Sequence, residues 1–450
     1  MNEPKPPLTE PALTRRSFLK NASTAVAGGA LLGALPIERF ALGASPGDTI
    51  RIALIGAGGR GRGAAAQALR TNGDVKLVAV ADAFKNSLEG GLKQIQSEFK
   101  DRPERLAVTE DTKFVGLDAY KKAIELADVV VIATPPGFRP IHFEEAVRQG
   151  KHVFMEKPVA VDGPGVRRVL AAAAEAKKRN LKVGVGLQRR HQNGYIETVK
   201  RLQGGEAGEI LAMRVYWNGG PVGPKARRAD LEKALGRPPT EMEYQLRNWY
   251  MFNWLCGDHI VEQHIHNLDV ANWVLNGYPV RALGMGGRAY QKGLDSGEIF
   301  DHHAVQYEYA NGVRVFSECR QIPGCWNSVS EHVHGTKGSS NVGGYTITGA
   351  NAWKYRGGGK DPYQQEHDDL FDAIRNDKPY NEAEYGALSS LTAILGRMCT
   401  NSGKEITWEE ALNSKIDLMP SEFTWDAKPK VLPDENGIYP FAIPGKTVAV

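Results

Sequence analysis

The sequence predicts an α/β chain: a doubly wound parallel sheet in the first half, then a second half dominated by strands and turns. Three observations predict it. A glycine-rich turn, "GAGGRG", lies between a short apolar run and an alanine-rich helical stretch. Apolar runs of strand length then alternate with stretches of helix length as far as about residue 188, the pattern of βαβ units. Beyond that point strand patterns separated by turns such as "ANG" take over. At 450 residues the chain is too long for one ordinary core, so two domains are expected.

The first 44 residues read as an export signal. Arg15 and Arg16 precede Ser17-Phe18-Leu19-Lys20, an apolar Ala- and Gly-rich stretch runs from Ala22 to Leu35, and "ALGA" at Ala41–Ala44 offers small residues for cleavage. That order is the order of a signal peptide, and the twin arginine resembles a Tat signal. The expected location is therefore periplasmic or secreted, with the Tat translocase as a partner during export. Tat carries folded proteins, so any cofactor would be loaded beforehand and kept. The net charge is +4, and the leader carries two more positive than negative charges, leaving +2 without it. This is too weak to argue for nucleic acid or an anionic membrane surface. No later apolar run reaches the ~20 residues of a membrane helix, so no membrane anchoring is expected after processing. Cys256, Cys319, Cys325 and Cys399 show no metal-type spacing and are expected to be free, since folding precedes export.

From Thr49 the order is strand, glycine turn, helix. Gly56, Gly58 and Gly61 stand at GxGxxG spacing, with Gly59 and Arg60 between them. The first glycine permits a tight turn, the second lets the backbone approach a pyrophosphate, and the third lets helix and strand pack closely. The following helix N-terminus supplies amide donors for phosphates. A second strand, "VKLVAVAD", ends at Asp82, whose carboxylate suits two ribose hydroxyls and disfavours a 2′-phosphate. NAD is thus expected over NADP, with Arg60, Arg62 and Lys85 leaving NADP open. "DVVVIATPP" (128–136), "KHVFMEKP" (151–158) and "KVGVGLQ" (182–188) read as further strands, with helices over 142–150 and 163–179 between them. Ligands of such sheets sit at the strands' carboxyl ends, which places Thr134, Pro135, Glu156, Lys157 and Gln188 at the cofactor.

With "GAGGRG", "ATPP", "GKHVFMEKP" and "GLQRRH" in this order, the chain resembles the glucose–fructose oxidoreductase / inositol dehydrogenase / MocA family over most of its length after the leader. The resemblance implies an N-terminal Rossmann domain and an α+β C-terminal domain with a large, open, mostly antiparallel sheet. It also implies a nicotinamide cofactor, a sugar-like or polyol substrate, and a homodimer or homotetramer joined through that sheet. The expected organisation is a leader (1–44), a nucleotide-binding domain (48–188), a substrate and oligomerisation domain (189–425) and a C-terminal arm (426–450). Residues 223–245 read as an insertion loop, and with the arm they are expected to cover the cleft or a neighbouring subunit.

The family's catalytic segment, Asp-x-x-x-His followed by x-Leu/Ile-Asp, corresponds to "EQHIHNLD", Glu262 to Asp269. His266 and Asp269 match it. Glu262 stands where the family usually has Asp, and His264 where it usually has Gly. On a continuous helix Asp258, Glu262, His266 and Asp269 share one face, with Val261, Ile265 and Leu268 on another. Oxidising a secondary alcohol needs a base for the hydroxyl proton and an acceptor for the hydride. Lys157 is expected as base or proton relay, and His266 as the group that polarises or deprotonates the hydroxyl, oriented by Glu262 or Asp269. Arg189, His191, Trp217, Trp249, His264 and Asp269 are the expected substrate contacts, with Arg190, Tyr195, Asn218, Arg247 and Asn248 as further candidates for sugar contacts. His259, Glu262, His264, His266, His302 and His303 are a dense set of potential ligands, but none matches a specific zinc spacing, so no metal is expected.

These readings point to an oxidoreductase acting on a ring hydroxyl of a sugar or glycoside, for instance at carbon three. Its tightly bound cofactor would be reset by a second sugar. A redox-neutral NAD-dependent glycoside hydrolase is the alternative, although that branch lacks the lysine of "EKP" and this chain keeps Lys157. A non-catalytic sugar or nucleotide sensor is the third reading.

Overall fold

A computed structural model describes residues 48–450. The export-signal segment lies outside the described residues. Six strands form the first sheet: β1 (Ile50–Ile55), β2 (Val75–Asp82), β3 (Lys113–Val115), β4 (Val129–Ile132), β5 (His152–Met155) and β6 (Val183–Val185). Their order is β3-β2-β1-β4-β5-β6, and every pairing is parallel. The short runs of β4, β5 and β6 are buried throughout, as strands covered by helices on both faces must be. The order reverses between β1 and β4, which opens a crevice at their carboxyl ends. β4 and β5 stop earlier than their apolar runs suggest, so Thr134-Pro135 and Glu156-Lys157 emerge in loops at that edge.

The second sheet has nine strands: β7 (Ile210–Gly219), β8 (Pro279–Gly287), β9 (His302–Tyr309), β10 (Arg314–Gln321), β11 (Ser328–Gly335), β12 (Gly338–Asn341), β13 (Thr346–Gly349), β14 (Trp353–Lys354) and β15 (Ile406–Thr407). The order is β14-β13-β12-β11-β7-β10-β9-β8-β15. Only the β7–β10 pair is parallel. Burial alternates along β10: Val315, Ser317 and Cys319 face inward, while Arg314, Phe316 and Glu318 face out. The inner face packs on the helix Ala383–Ser402, which also meets the helix Gly163–Lys178 of the first half. That central helix is buried on nearly all sides, so one apolar cluster runs from Val153 and Val183 through Leu391 and Leu395 to Val305 and Tyr307.

Three expectations need revision. The domain boundary at residue 188 is crossed by the helix Pro362–Arg375, whose Leu370, Phe371 and Ile374 complete the core around Ile50, Ile52 and Phe154. The insertion read as a loop carries a helix, Arg228–Leu235, and a second one, Glu241–Arg247, starts on a capping box of Thr240 and Glu243. The arm read as starting at Asp426 is continuous with the stretch after Asn413, which contains no helix or strand. All four cysteines are free, as expected; Cys325 is exposed and the others are buried.

Candidate active site

The glycine turn joining β1 to the helix Gly59–Leu69 has the shape its residues predict. Gly56 adopts φ +91°, and a Cβ there would lie 2.9 Å from the Ala133 carbonyl carbon and the Thr134 nitrogen. A Cβ on Gly61 would strike the Gly56 carbonyl oxygen, so helix and strand touch at that point. A Cβ on Gly58 would meet nothing within 4 Å, so the turn is open on that side. That is the cradle a pyrophosphate requires, with the Gly59 helix N-terminus behind it. Asp82, at the end of β2, accepts from the Ala57 nitrogen (2.8 Å) and the Phe84 nitrogen (2.9 Å), which fixes its carboxylate at the crevice rim. Burial raises its carboxyl, against those two hydrogen bonds and the charge of Arg247. These residues fit a nicotinamide dinucleotide. Thr134 sits opposite, its hydroxyl 3.1 Å from His142 Nδ1 and its carbonyl accepting from Arg139 (2.7 Å).

Arg60 turns inward rather than toward the ribose. Its Nε bonds buried Glu156, its Nη2 donates to Gln67 (2.9 Å) and lies 3.5 Å from Glu366, and its guanidinium is 4.8 Å from the Tyr363 ring. Lys85 is engaged with Glu89 at 3.7 Å. Gln188 donates to the Tyr363 hydroxyl (3.0 Å).

Two of the expected catalytic residues meet directly. Lys157 Nζ donates to the Glu262 carbonyl (2.5 Å) and to its Oε1 (3.1 Å). His266 lies next to this pair with its ring stacked on Trp217, centroids 5.8 Å apart. Its Nδ1 is buried without a partner. Burial, then the charges of Lys157 and Arg189, hold the imidazole well below its ordinary pKa, so it is neutral. Arg189 pairs with buried Glu331, and its guanidinium lies 5.9 Å from the Trp217 ring. Trp249 is partly buried and packs edge-on against Tyr250.

The continuous helix expected here is broken. Asp258 caps a short helix, His259–Glu262, at φ +74°, and a second helix, Ile265–Leu275, starts after the break. Asp258 therefore does not share the Glu262–His266 face. Its carboxylate is buried, with Oδ1 3.0 Å from His259 Nδ1 and 3.3 Å from His303 Nε2, and those imidazoles hold it far below the usual carboxylate range despite burial. Among the described residues these three form the group whose atoms are close enough to hold a metal ion.

Three expected substrate contacts lie elsewhere. His264 is fully buried, with Nε2 2.8 Å from Ser317 Oγ under β10, and burial pushes it down to about 3. Asp269 is held by Arg190 (2.8 and 2.9 Å) and by the Ser389 hydroxyl (2.7 Å), so it braces the helix and does not orient His266. His191 sits between Asp369 (2.7 Å) and Glu382 (3.2 Å); against the downward push of burial, these carboxylates raise it to about 10. In each case the partner is far away in the chain.

Two residues at this edge escaped sequence reasoning. Tyr363 comes from the returning helix and closes over Arg60. Lys225, in the insertion, stands 5.3 Å over the Trp249 ring and makes no ion pair among the described residues. Its neighbour Ala226 is fixed by two hydrogen bonds with Asn248 (3.0 and 2.9 Å). The basic run "GPKARR" ahead of an aromatic stretch was the available signal.

The sequence matches two family models, an oxidoreductase family with a NAD-binding Rossmann fold over residues 50–186 and the GFO/IDH/MocA C-terminal domain over residues 195–341. Together they span more than half of the chain. It belongs to the GFO/IDH/MocA oxidoreductase family. Inositol 2-dehydrogenase of Rhizobium meliloti is 26% identical over 292 residues, covering 65% of this chain and 74% of that protein. Two solved structures share the fold: an aldose-aldose oxidoreductase from Caulobacter crescentus complexed with glycerol (TM-score 0.60, 17% identity) and scyllo-inositol dehydrogenase from Lactobacillus casei with NAD(H) and scyllo-inositol (TM-score 0.59, 18% identity). Each covers 80% of this chain and all of its own. This chain is thus an oxidoreductase of a NAD-binding family.

Proposed function

We propose that this family member oxidises a ring hydroxyl of a sugar, polyol or glycoside, keeps its NAD bound, and is reset by a second sugar, after export through the Tat pathway. The observation that carries the reading is the convergence of Lys157, Glu262 and His266 beside the carboxyl edge of β5, across from the glycine turn. The nicotinamide ring, when bound, accepts the hydride. Lys157, held by Glu262, donates to the substrate oxygen and stabilises charge as it develops there. His266, kept neutral by burial and by two cations, takes the hydroxyl proton. Trp217 and Trp249 offer flat faces to sugar C–H surfaces, and Arg189 offers hydrogen-bond donors. The exposed face of the nine-stranded sheet joins two copies of the chain, since Leu283 and Phe316 flank Gln306 in one cross-strand row there, with Met285 two residues along β8 from Leu283.

The test is to purify the protein without added nucleotide and follow reduced-nicotinamide absorbance and fluorescence while adding inositols, free sugars and simple glycosides. A signal on addition of a donor, erased by a second sugar, is the expected result. Cleavage of a glycoside without a lasting reduced signal would favour the redox-neutral hydrolase instead. Bound nucleotide with no redox change under any condition would leave a sensor.

A further inference from the structure

A third apolar cluster stands apart from the two sheet cores. It joins the insertion (Met242, Tyr244), the segment around Trp254 and the C-terminal arm (Ala427, Tyr439). Its footing is on the first half: Phe138 belongs to it, and Phe84 packs against its edge. Phe84 follows β2 and Phe138 follows β4, the strands on either side of β1 at the crevice. This cap is therefore seated on the rim of the nucleotide groove.

The contacts are specific at both ends. Past β2, the Arg247 guanidinium lies 4.0 Å from the Phe84 ring centroid and Trp425 lies 5.4 Å from it. The Thr240 hydroxyl donates to the Trp425 carbonyl (2.7 Å), tying arm to insertion. Past β4, Phe423 is 5.4 Å from Phe138, and the Leu418 nitrogen donates to Asp162 (2.8 Å). Behind them the Tyr439 hydroxyl donates to Glu241 (2.6 Å) and Gln245 donates to the Val431 carbonyl (2.8 Å).

We infer that this cap clamps the adenosine half of the dinucleotide, with Arg247 and Trp425 closing over Phe84 beside Asp82, and so turns NAD into a resident group. The inference rests on the nucleotide reading above. Asp82 marks the ribose position at the end of β2, and Arg247 sets a cation at the same rim, which complements an anionic dinucleotide. Release requires the arm to lift off both aromatic footings together, so the cap acts on the dissociation rate.

The experiment measures retention directly. Wild-type protein purified without nucleotide is denatured and its NAD content is determined, and exchange of bound NAD against an excess of labelled NAD is timed. Near-stoichiometric content and slow exchange are expected. Trp425→Ala and Arg247→Gln should each release NAD about tenfold faster, and Trp425→Phe should stay close to wild type. Phe441→Ala, in the same arm but packed on Arg288 at 4.7 Å, should leave the rate unchanged. The clamp is overturned if wild type binds NAD but exchanges it at once, or if Phe441→Ala releases as fast as Trp425→Ala. A chain that binds no NAD at any added concentration overturns the nucleotide reading as well.

Discussion

At the His266 ring, desolvation and the nearby cations act in one direction. Both disfavour the imidazolium, so the folded ring stays a base below the ordinary titration range of histidine. Oxidation measured as kcat/KM should therefore show no acid limb near pH 6.5. Lys157→Met removes a charge that depresses His266, so the residual activity, lower by about 10²–10⁴-fold, should gain an acid limb at higher pH than wild type; an unmoved limb would separate the two residues. His191 behaves in the opposite way. Its pKa rises from 6.5 to about 10 on folding, so its stabilising contribution is full below pH 6.5 and disappears as pH climbs through about 10. His191→Gln should cost about 3 kcal/mol at neutral pH, with the deficit in melting temperature shrinking toward pH 10. Lys157, Glu262 and His266 were legible because each belongs to a short motif. The true settings of His191, His264 and Asp269 were not, because Glu382, Ser317 and Arg190 meet them only through the folded chain.

Among the elements, the glycine turn separates binding from packing. Gly58→Ala adds a methyl where the chain leaves open space, so it should keep the apo melting temperature and lose NAD retention. Gly61→Ala drives a methyl into the Gly56 carbonyl and should cost about 1–3 kcal/mol of stability with or without nucleotide. Calorimetry on both variants, stripped and reloaded, distinguishes the two effects. The parallel strands were legible because buried strands read as continuous apolar runs. The break between Glu262 and Ile265 was not, since the side chains from Asp258 to Asp269 fit helical spacing throughout. The contacts made at the break are long-range: Lys157 donates to the Glu262 carbonyl (2.5 Å), and His264 reaches Ser317.

For the whole molecule, the exposed sheet face is where the proposed assembly is tested. Met285 is 79% exposed, and Leu283 and Phe316 are both more than 40% exposed on the same face. Replacing Leu283 and Met285 with Glu should convert a dimer to a monomer in sedimentation velocity; a wild-type chain that is monomeric at micromolar concentration would refute this assembly. The two-half organisation was legible from the change of pattern near residue 188. The exchange between halves was not, because "DDLFDAIRNDKPY" reads as any amphipathic helix and nothing local says which sheet it covers. That helix carries a consequence for how the protein is made. Synthesis runs from Gly56 toward Val450, yet Leu370, Phe371 and Ile374 complete the wall behind β1, and Phe423 and Trp425 close its rim. The nucleotide groove is thus walled and rimmed by residues that follow its glycine turn by more than half the chain. A nascent chain that has reached only as far as Pro362 carries the whole glycine turn without the wall behind it, so the site is completed only after the second half has been made.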